Sequence, residues 1–319
     1  NFNFTQSSLD NSTFMKQFLT DINPNTIYNL SNNNSGPKSI LYSLIIDSIE
    51  LRDSKNDRIS LWINDPADVK YKEFQQIMYQ LIYSGMQAEL MLQAESLTGK
   101  LKQKDIKNNL NALAKLYAVP GTSLIPTPNA AKPSEMDYQV VRVMPNARLC
   151  IQNRKSNYIN EQKFSEEAFC RRGPPMPELQ GMRPHDLSHP GPPQLGKHSL
   201  MIRLRSPRNV FAFLGTIVAL QLMDNPKIIK IKDSDQFAKN PELLNNPDDD
   251  STSIPLFLIK KNERVSNPIA SITYRGDTFS IPGRKGESTS REVLTLVSIL
   301  LTLSKDPASI PPSPAVLIN

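Results

Sequence analysis

Few residues in this 319-residue chain belong to the usual vocabulary of catalysis: it has two cysteines, three histidines and one tryptophan. A Gly-x-Ser-x-Gly elbow is missing, and with it the sign of an α/β-hydrolase nucleophile. Neither a P-loop nor a dinucleotide-binding glycine pattern occurs, so nothing marks a nucleotide phosphate site. No apolar run approaches the ~20 residues that a membrane-spanning helix requires. The longest apolar stretches, around 210–223 and 293–303, read as core helices. Aromatics make up only 7%, and 37 basic against 31 acidic residues leave a net charge of +6. Nucleic-acid binding calls for clustered charge interleaved with stacking rings. The basic residues here are scattered, with small knots at Arg171-Arg172, at Arg203, Arg205 and Arg208, and at Lys260-Lys261. No nucleic-acid partner is expected.

What the chain does have is concentrated. Seven of its 26 prolines, four of its 12 glycines and all three histidines fall within residues 171–198. Proline removes a backbone donor and fixes φ, so neither helix nor strand is expected there. His185, His189 and His198, with Asp186, form the candidate metal site. His185 and His189 are four apart, the spacing of zinc pairs on a helix face. Pro184 and Pro190 oppose that helix, and no glutamate follows His185. Cys150 and Cys170 lie just ahead of the segment and are expected to form a disulfide, the alternative being two separate buried thiols. Closing a loop of that size stabilises by about 3 kcal/mol in the chain-entropy model. No cofactor is indicated.

Residues 1–37 are polar and asparagine-rich and read as a flexible leader with one short helix near 14–21. A helix is expected over 39–51, where Ile40, Leu41, Leu44, Ile45 and Ile49 share one face. Residues 58–63 alternate as a half-buried strand. Asp65-Pro66-Ala67-Asp68 has the chemistry of a helix start, and the helix it opens is expected to run to Leu97 with Gly85 as a weak point. A second amphipathic helix carries Ile106, Leu110, Leu113 and Leu116. Residues 119–133 read as a proline-rich linker. Residues 138–143 and 148–152 flank Met-Pro-Asn as a hairpin. A strand over 199–205 runs into Ser206-Pro207, a cap followed by proline, which opens a helix over 208–223. Strands follow at 227–232 and 256–261, separated by an acidic connection containing Asp248-Asp249-Asp250. That run lacks the alternation and distal glutamate of a calcium loop. A hairpin turns at Arg275-Gly276-Asp277, which also spells the adhesion tripeptide. The basic turn from Gly283 to Gly286 precedes the capping box from Thr289 to Glu292, and the final helix reads as apolar nearly all round.

The expected fold class is α+β: a helical N-terminal half, then a largely antiparallel sheet with two packed helices, one of them the buried C-terminal helix. The expected divisions are a leader (1–37), a mainly helical region (38–118), a linker (119–136) and an α+β domain (137–319). That domain carries a Pro/Gly/His-rich insert (171–198) and an acidic insert (233–255). Strand 58–63 needs a partner, and joining the C-terminal sheet would unite the two halves.

Arg205-Ser206-Pro207, Tyr274-Arg275-Gly276 with Phe279 and Ile281, Ser290-Arg291, and Asp65-Pro66-Ala67-Asp68 resemble a family of uncharacterised envelope lipoproteins of Gram-negative bacteria. The resemblance implies a periplasmic protein, tethered to the outer membrane by lipid on a cysteine upstream of Asn1, and assigns no functional residues. The expected function is a non-enzymatic binding or scaffold module of the envelope, its inserts facing a protein partner. The alternative is a metal-dependent hydrolase built on His185, His189 and His198.

Overall fold

The computed structural model describes residues 12–33, 37–53, 58–98, 101–102, 106, 122–128, 136–171, 177–179, 197–234, 241–244, 252–284 and 286–305. The fold is mixed α and β, with helices packed among several mainly antiparallel sheets. Helices α1 (Ser12–Leu19), α2 (Pro24–Asn33) and α3 (Lys38–Ile45) lead into β1 (Ile46–Asp53) and β2 (Arg58–Ile63). Helix α4 (Tyr71–Tyr83) precedes β3 (Met86–Ser96), β4 (Thr122–Pro128), β5 (Met136–Ile151) and the short β6 (Pro177–Leu179). Strand β7 (His198–Leu204) feeds α5 (Pro207–Gln221). The short strands β8 (Lys230–Lys232), β9 (Ser253–Pro255) and β10 (Lys260–Lys261) follow, then the hairpin β11 (Ala270–Tyr274) and β12 (Asp277–Ile281), and finally α6 (Ser290–Lys305).

Strand β1 is the hinge of the architecture. It lies between β2 and β7, antiparallel to both, so Ile49 faces Trp62 on one side and Ile202 on the other. Strand 58–63 thus reaches the C-terminal half through β1. The helix expected over 39–51 ends at Ile45, and Ile46 turns into the sheet with φ −79 and ψ 128. The pattern misleads because Ile45 and Ile49 are four apart, which fits both the 3.6-residue helical period and the two-residue strand period. Ser39 to Ile45 are all buried, with Ser39 and Ser43 among the apolar side chains.

Residues 86–96, read as helix, are corrected to strand. Gly85 has φ +84, and an added Cβ there would lie 3.1 Å from the Cβ of Gln152. It therefore ends α4 in the left-handed conformation that glycine tolerates. Strand β3 then runs for 11 residues between β5 and β6. Its Met, Gln, Ala, Glu and Leu favour helix intrinsically, and ladder pairing with β5 along its whole length overrides that preference. The hairpin at 138–152 and part of the linker at 119–133 are corrected too. Strand β5 passes through Met144-Pro145-Asn146 without turning, and 122–128 forms β4 beside it. Strand β4 reaches only to Arg142, so the far edge of β5 at Pro145 has no strand beside it among the described residues, and a missing donor is tolerated there. Within the proline-rich insert, Pro177–Leu179 pairs in parallel with β3, contrary to the expectation that no strand forms.

Helix α4 begins at Tyr71, later than the Asp65-Pro66 signal. Asp65 and Asp68 instead accept the backbone N–H groups of Ala67 and Lys70 in two successive turns. The Ser206 cap and Pro207 behave as the sequence indicates: the Ser206 hydroxyl accepts the Asn209 N–H. In α6, by contrast, the Thr289 hydroxyl donates to Leu256 O at 2.7 Å rather than capping. That helix is also one-sided. Val293, Leu296, Val297, Leu300 and Leu301 are buried while Arg291, Glu292, Thr295 and Thr302 face outward. One core joins α2 to α6 with β1, β3, β5, β7 and β8, and includes Ile22, Ile27 and Leu30 from 1–37, the segment whose composition reads as a leader. Burial of side chains such as Phe74 and Tyr42 is worth about 1.5–3 kcal/mol each. No helix among the described residues is long and apolar enough to cross a membrane.

Candidate functional site

His185 and His189 lie outside the described residues, as do Asp186 and Asp248 to Asp250. His198 opens β7: its Nδ1 stands 3.6 Å from Asp53 Oδ1, and its ring meets Phe164 edge-on at 5.6 Å. Its backbone N–H donates to Lys163 O and its carbonyl accepts from Ser165 N. These contacts bind the strand to the segment that precedes the insert. Among the described residues, one group of three metal-ligating side chains comes together: Glu89, Cys150 and Cys170. Its two sulfurs are bonded to each other, because Cys150 and Cys170 form a disulfide. Arg148, buried beside it, donates to Glu89 Oε1 at 2.6 Å and to the carbonyls of Glu167 and Phe169, while Arg171 N–H donates to Glu89 Oε2. The carboxylate is thus held by cations and a backbone donor, an ion-paired clasp around the disulfide.

The Arg275-Gly276-Asp277 turn forms as expected, with Arg275 and Gly276 at φ 51 and 87. Its aspartate is occupied within the fold. Lys261 Nζ lies 2.8 Å and Asn262 Nδ2 2.7 Å from its carboxylate oxygens, and the Lys261 contact, then Asn262, hold its pKa below the usual 3.8. The Gly283 turn is closed as well. A Cβ on Gly283 would lie 2.5 Å from Asn267 O, so glycine is needed for close approach.

The cavity with the chemistry of a binding site lies elsewhere, between α4 and the segment entering β8. It holds about 200 Å³. Lys72, Gln75, Gln76 and Tyr79 line one wall; positions spaced by three, four and seven fall on a single helix face. Lys227, Lys230 and Lys232 line the other. Three hydrogen bonds join the walls. Gln75 Nε2 donates to Lys230 O at 2.8 Å, Lys232 N–H to Tyr79 Oη at 3.0 Å, and Lys227 Nζ to Pro66 O at 2.8 Å. Lys232 is 3% exposed, and Asp68 is the carboxylate in the lining. Lys72, Lys227, Lys230 and Lys232 are the basic residues of the lining, and Asp68 is its acidic one.

Tyr71, also in the lining, is 4% exposed, and its hydroxyl has no hydrogen-bond partner among the described residues. Burial, then the neighbouring Tyr79, raise its pKa above the ordinary phenol value, against a smaller opposing effect of Arg205. The hydroxyl therefore stays protonated and able to donate. Ammonium groups and neutral hydroxyls are the donors that hold phosphate, sulfate or carboxylate oxygens. The lining carries neither histidine nor cysteine. Sequence reading does not single these lysines out. The Lys227-x-x-Lys230-x-Lys232 spacing is a local signal, but Lys72 joins it only through the packing of α4.

Compared with protein-family models, curated proteins and solved structures, the chain finds no match in any of the three.

Proposed function

We propose that this chain is a non-enzymatic binding or scaffold protein of the bacterial cell envelope, and that its lysine-lined cleft takes an anionic ligand. The observation that carries the reading is the convergence of Lys72, Lys227, Lys230 and Lys232 on one cavity of about 200 Å³. That is room for a phosphate- or carboxylate-bearing group, with lysines on both walls. The compartment is supported by the Cys150–Cys170 disulfide, since disulfides persist in oxidising environments, and by the resemblance to envelope lipoproteins. A lipid anchor would be carried by a cysteine upstream of Asn1. The β2–β1–β7 sheet with α5 and α6 serves as the rigid frame, and the 171–198 insert as the face for a protein partner.

Calorimetric titration of the full chain with inorganic phosphate, pyrophosphate and citrate tests the cleft. Saturable binding of one of them is expected. Replacing Lys227 and Lys230 with glutamate should weaken it by about tenfold or more, since charge-assisted hydrogen bonds contribute ~1.5–3 kcal/mol each. Absence of binding by all three at millimolar concentration, or binding untouched by the double variant, defeats the reading.

A further inference from the structure

Strand β2 is an edge strand. The Asn64 N–H donates to Asp47 O, continuing the register in which Ser48 faces Ile63. In an antiparallel ladder alternate residues direct their amide groups to the same side. The even-numbered residues of β2 therefore bond to β1, and Ile59, Leu61 and Ile63 turn their N–H and C=O groups away from it. The same three residues expose their side chains, at 50%, 50% and 47%, while Trp62 between them packs against the core. Among the described residues, one edge thus offers unpaired backbone groups and an apolar ladder from the same positions. Exposed edges are normally blunted by lysine, proline or a bulge. Here the Arg58–Ile63 strand has none of these on its outward positions.

We infer that β2 pairs antiparallel with β2 of a second copy of this chain, about a two-fold axis through Leu61. In this register Leu61 faces the partner's Leu61, and Ile59 faces the partner's Ile63. All three pairs occupy hydrogen-bonded positions, so each exchanges two backbone N–H···O bonds while the side chains meet on one face. A two-residue shift sets Ile59 against the partner's Asp65 and leaves two apolar pairs in place of three, which favours this register over its neighbours. The product is a continuous six-stranded sheet in the order β7–β1–β2 and its symmetric copy. Isologous pairing of this kind closes as a dimer and does not propagate. With one strand from each partner the interface sits at the small end of the size range, so monomer and dimer exchange with concentration.

The test is sedimentation of the full chain over a concentration series, together with two variants. The unmodified chain is expected to pass from one to two chains in mass as concentration rises. Leu61→Lys changes an exposed side chain, so its circular dichroism should match the parent. It also places like charges opposite each other on the axis and should weaken the dimer by more than about tenfold. Leu61→Cys should be joined rapidly by a short bismaleimide spacer. Ile272→Cys, on the exposed strand β11, should not. A chain that remains monomeric at the highest concentration overturns the inference. So does a dimer indifferent to Leu61→Lys, or crosslinking at Ile272→Cys as fast as at Leu61→Cys. None of these outcomes depends on whether the lysine cleft binds an anion.

Discussion

Arg205 holds the joint where the N-terminal helices meet the β2–β1–β7 sheet. Helix α3 passes straight into β1, leaving C-terminal carbonyls that an ordinary cap would satisfy. The Arg205 guanidinium donates to Ser43 O and Leu44 O at 3.0 Å each and to Asn64 O, and it lies 4.0 Å from the centre of the Phe213 ring. The Asn64 side-chain amide donates to Ser43 O and Ile46 O. Burial lowers the Arg205 pKa to about 10, against the opposing effect of Asp47, so the side chain is still cationic at neutral pH and complements the helix dipole. Removing one partner of such a network costs about 3–5 kcal/mol. Arg205→Ala should therefore lower the free energy of unfolding, measured by urea denaturation, by an amount in that range. Arg205→Lys should recover only part of it, because an ammonium cannot span carbonyls from two elements as a planar fork does. The motif is plain in the sequence as Arg205-Ser206-Pro207. Ser206 and Pro207 read correctly as a helix start, whereas the role of Arg205 depends on carbonyls more than 140 positions away.

At the scale of elements, the boundary between α4 and β3 turns on Gly85. Its φ of +84 and the tight approach of Gln152 make it the one residue there that must be glycine. Gly85→Ala should destabilise by more than about 1 kcal/mol, the opposite sign from the usual gain when glycine is replaced in a compatible conformation. Chemical denaturation checks it, and an unchanged midpoint would mean that the backbone relaxes freely. The sequence misleads at this boundary because a helix-favouring composition continues past the glycine without interruption. Elements with strong local signals were legible: the helix after Ser206-Pro207, the Arg275-Gly276 turn and the alternating strand over 58–63. Those set by a neighbour were not. Strand β3 takes its conformation from β5, and the Ile45–Ile49 spacing fits helix and strand equally.

For the whole molecule, the Cys150–Cys170 disulfide closes a strap that returns the chain to the start of the insert. Within it Gln152 and Asn153 donate their N–H groups to Gly85 O and Ser84 O, and Cys170 N–H donates to Ile151 O. Cys150 is fully buried and Cys170 is 9% exposed, so the bond should resist reductant until the chain unfolds. Replacing both cysteines with serine should cost about 3 kcal/mol, the value expected for a loop of this length; denaturation in oxidising buffer measures it. What the sequence by itself determined was an α+β composition, the absence of an apolar membrane-spanning run, a candidate disulfide, and the caps and turns that act over a few residues. Tertiary structure alone decided that β1 joins the two halves of the chain, that 86–96 is strand, and that Lys72 shares one cavity with Lys227, Lys230 and Lys232. It also left the outer edge of β2 apolar and unpaired among the described residues. Caps and turns are written by neighbouring residues, whereas pairing, cavities and open edges depend on which distant segments come together, and no local period records that.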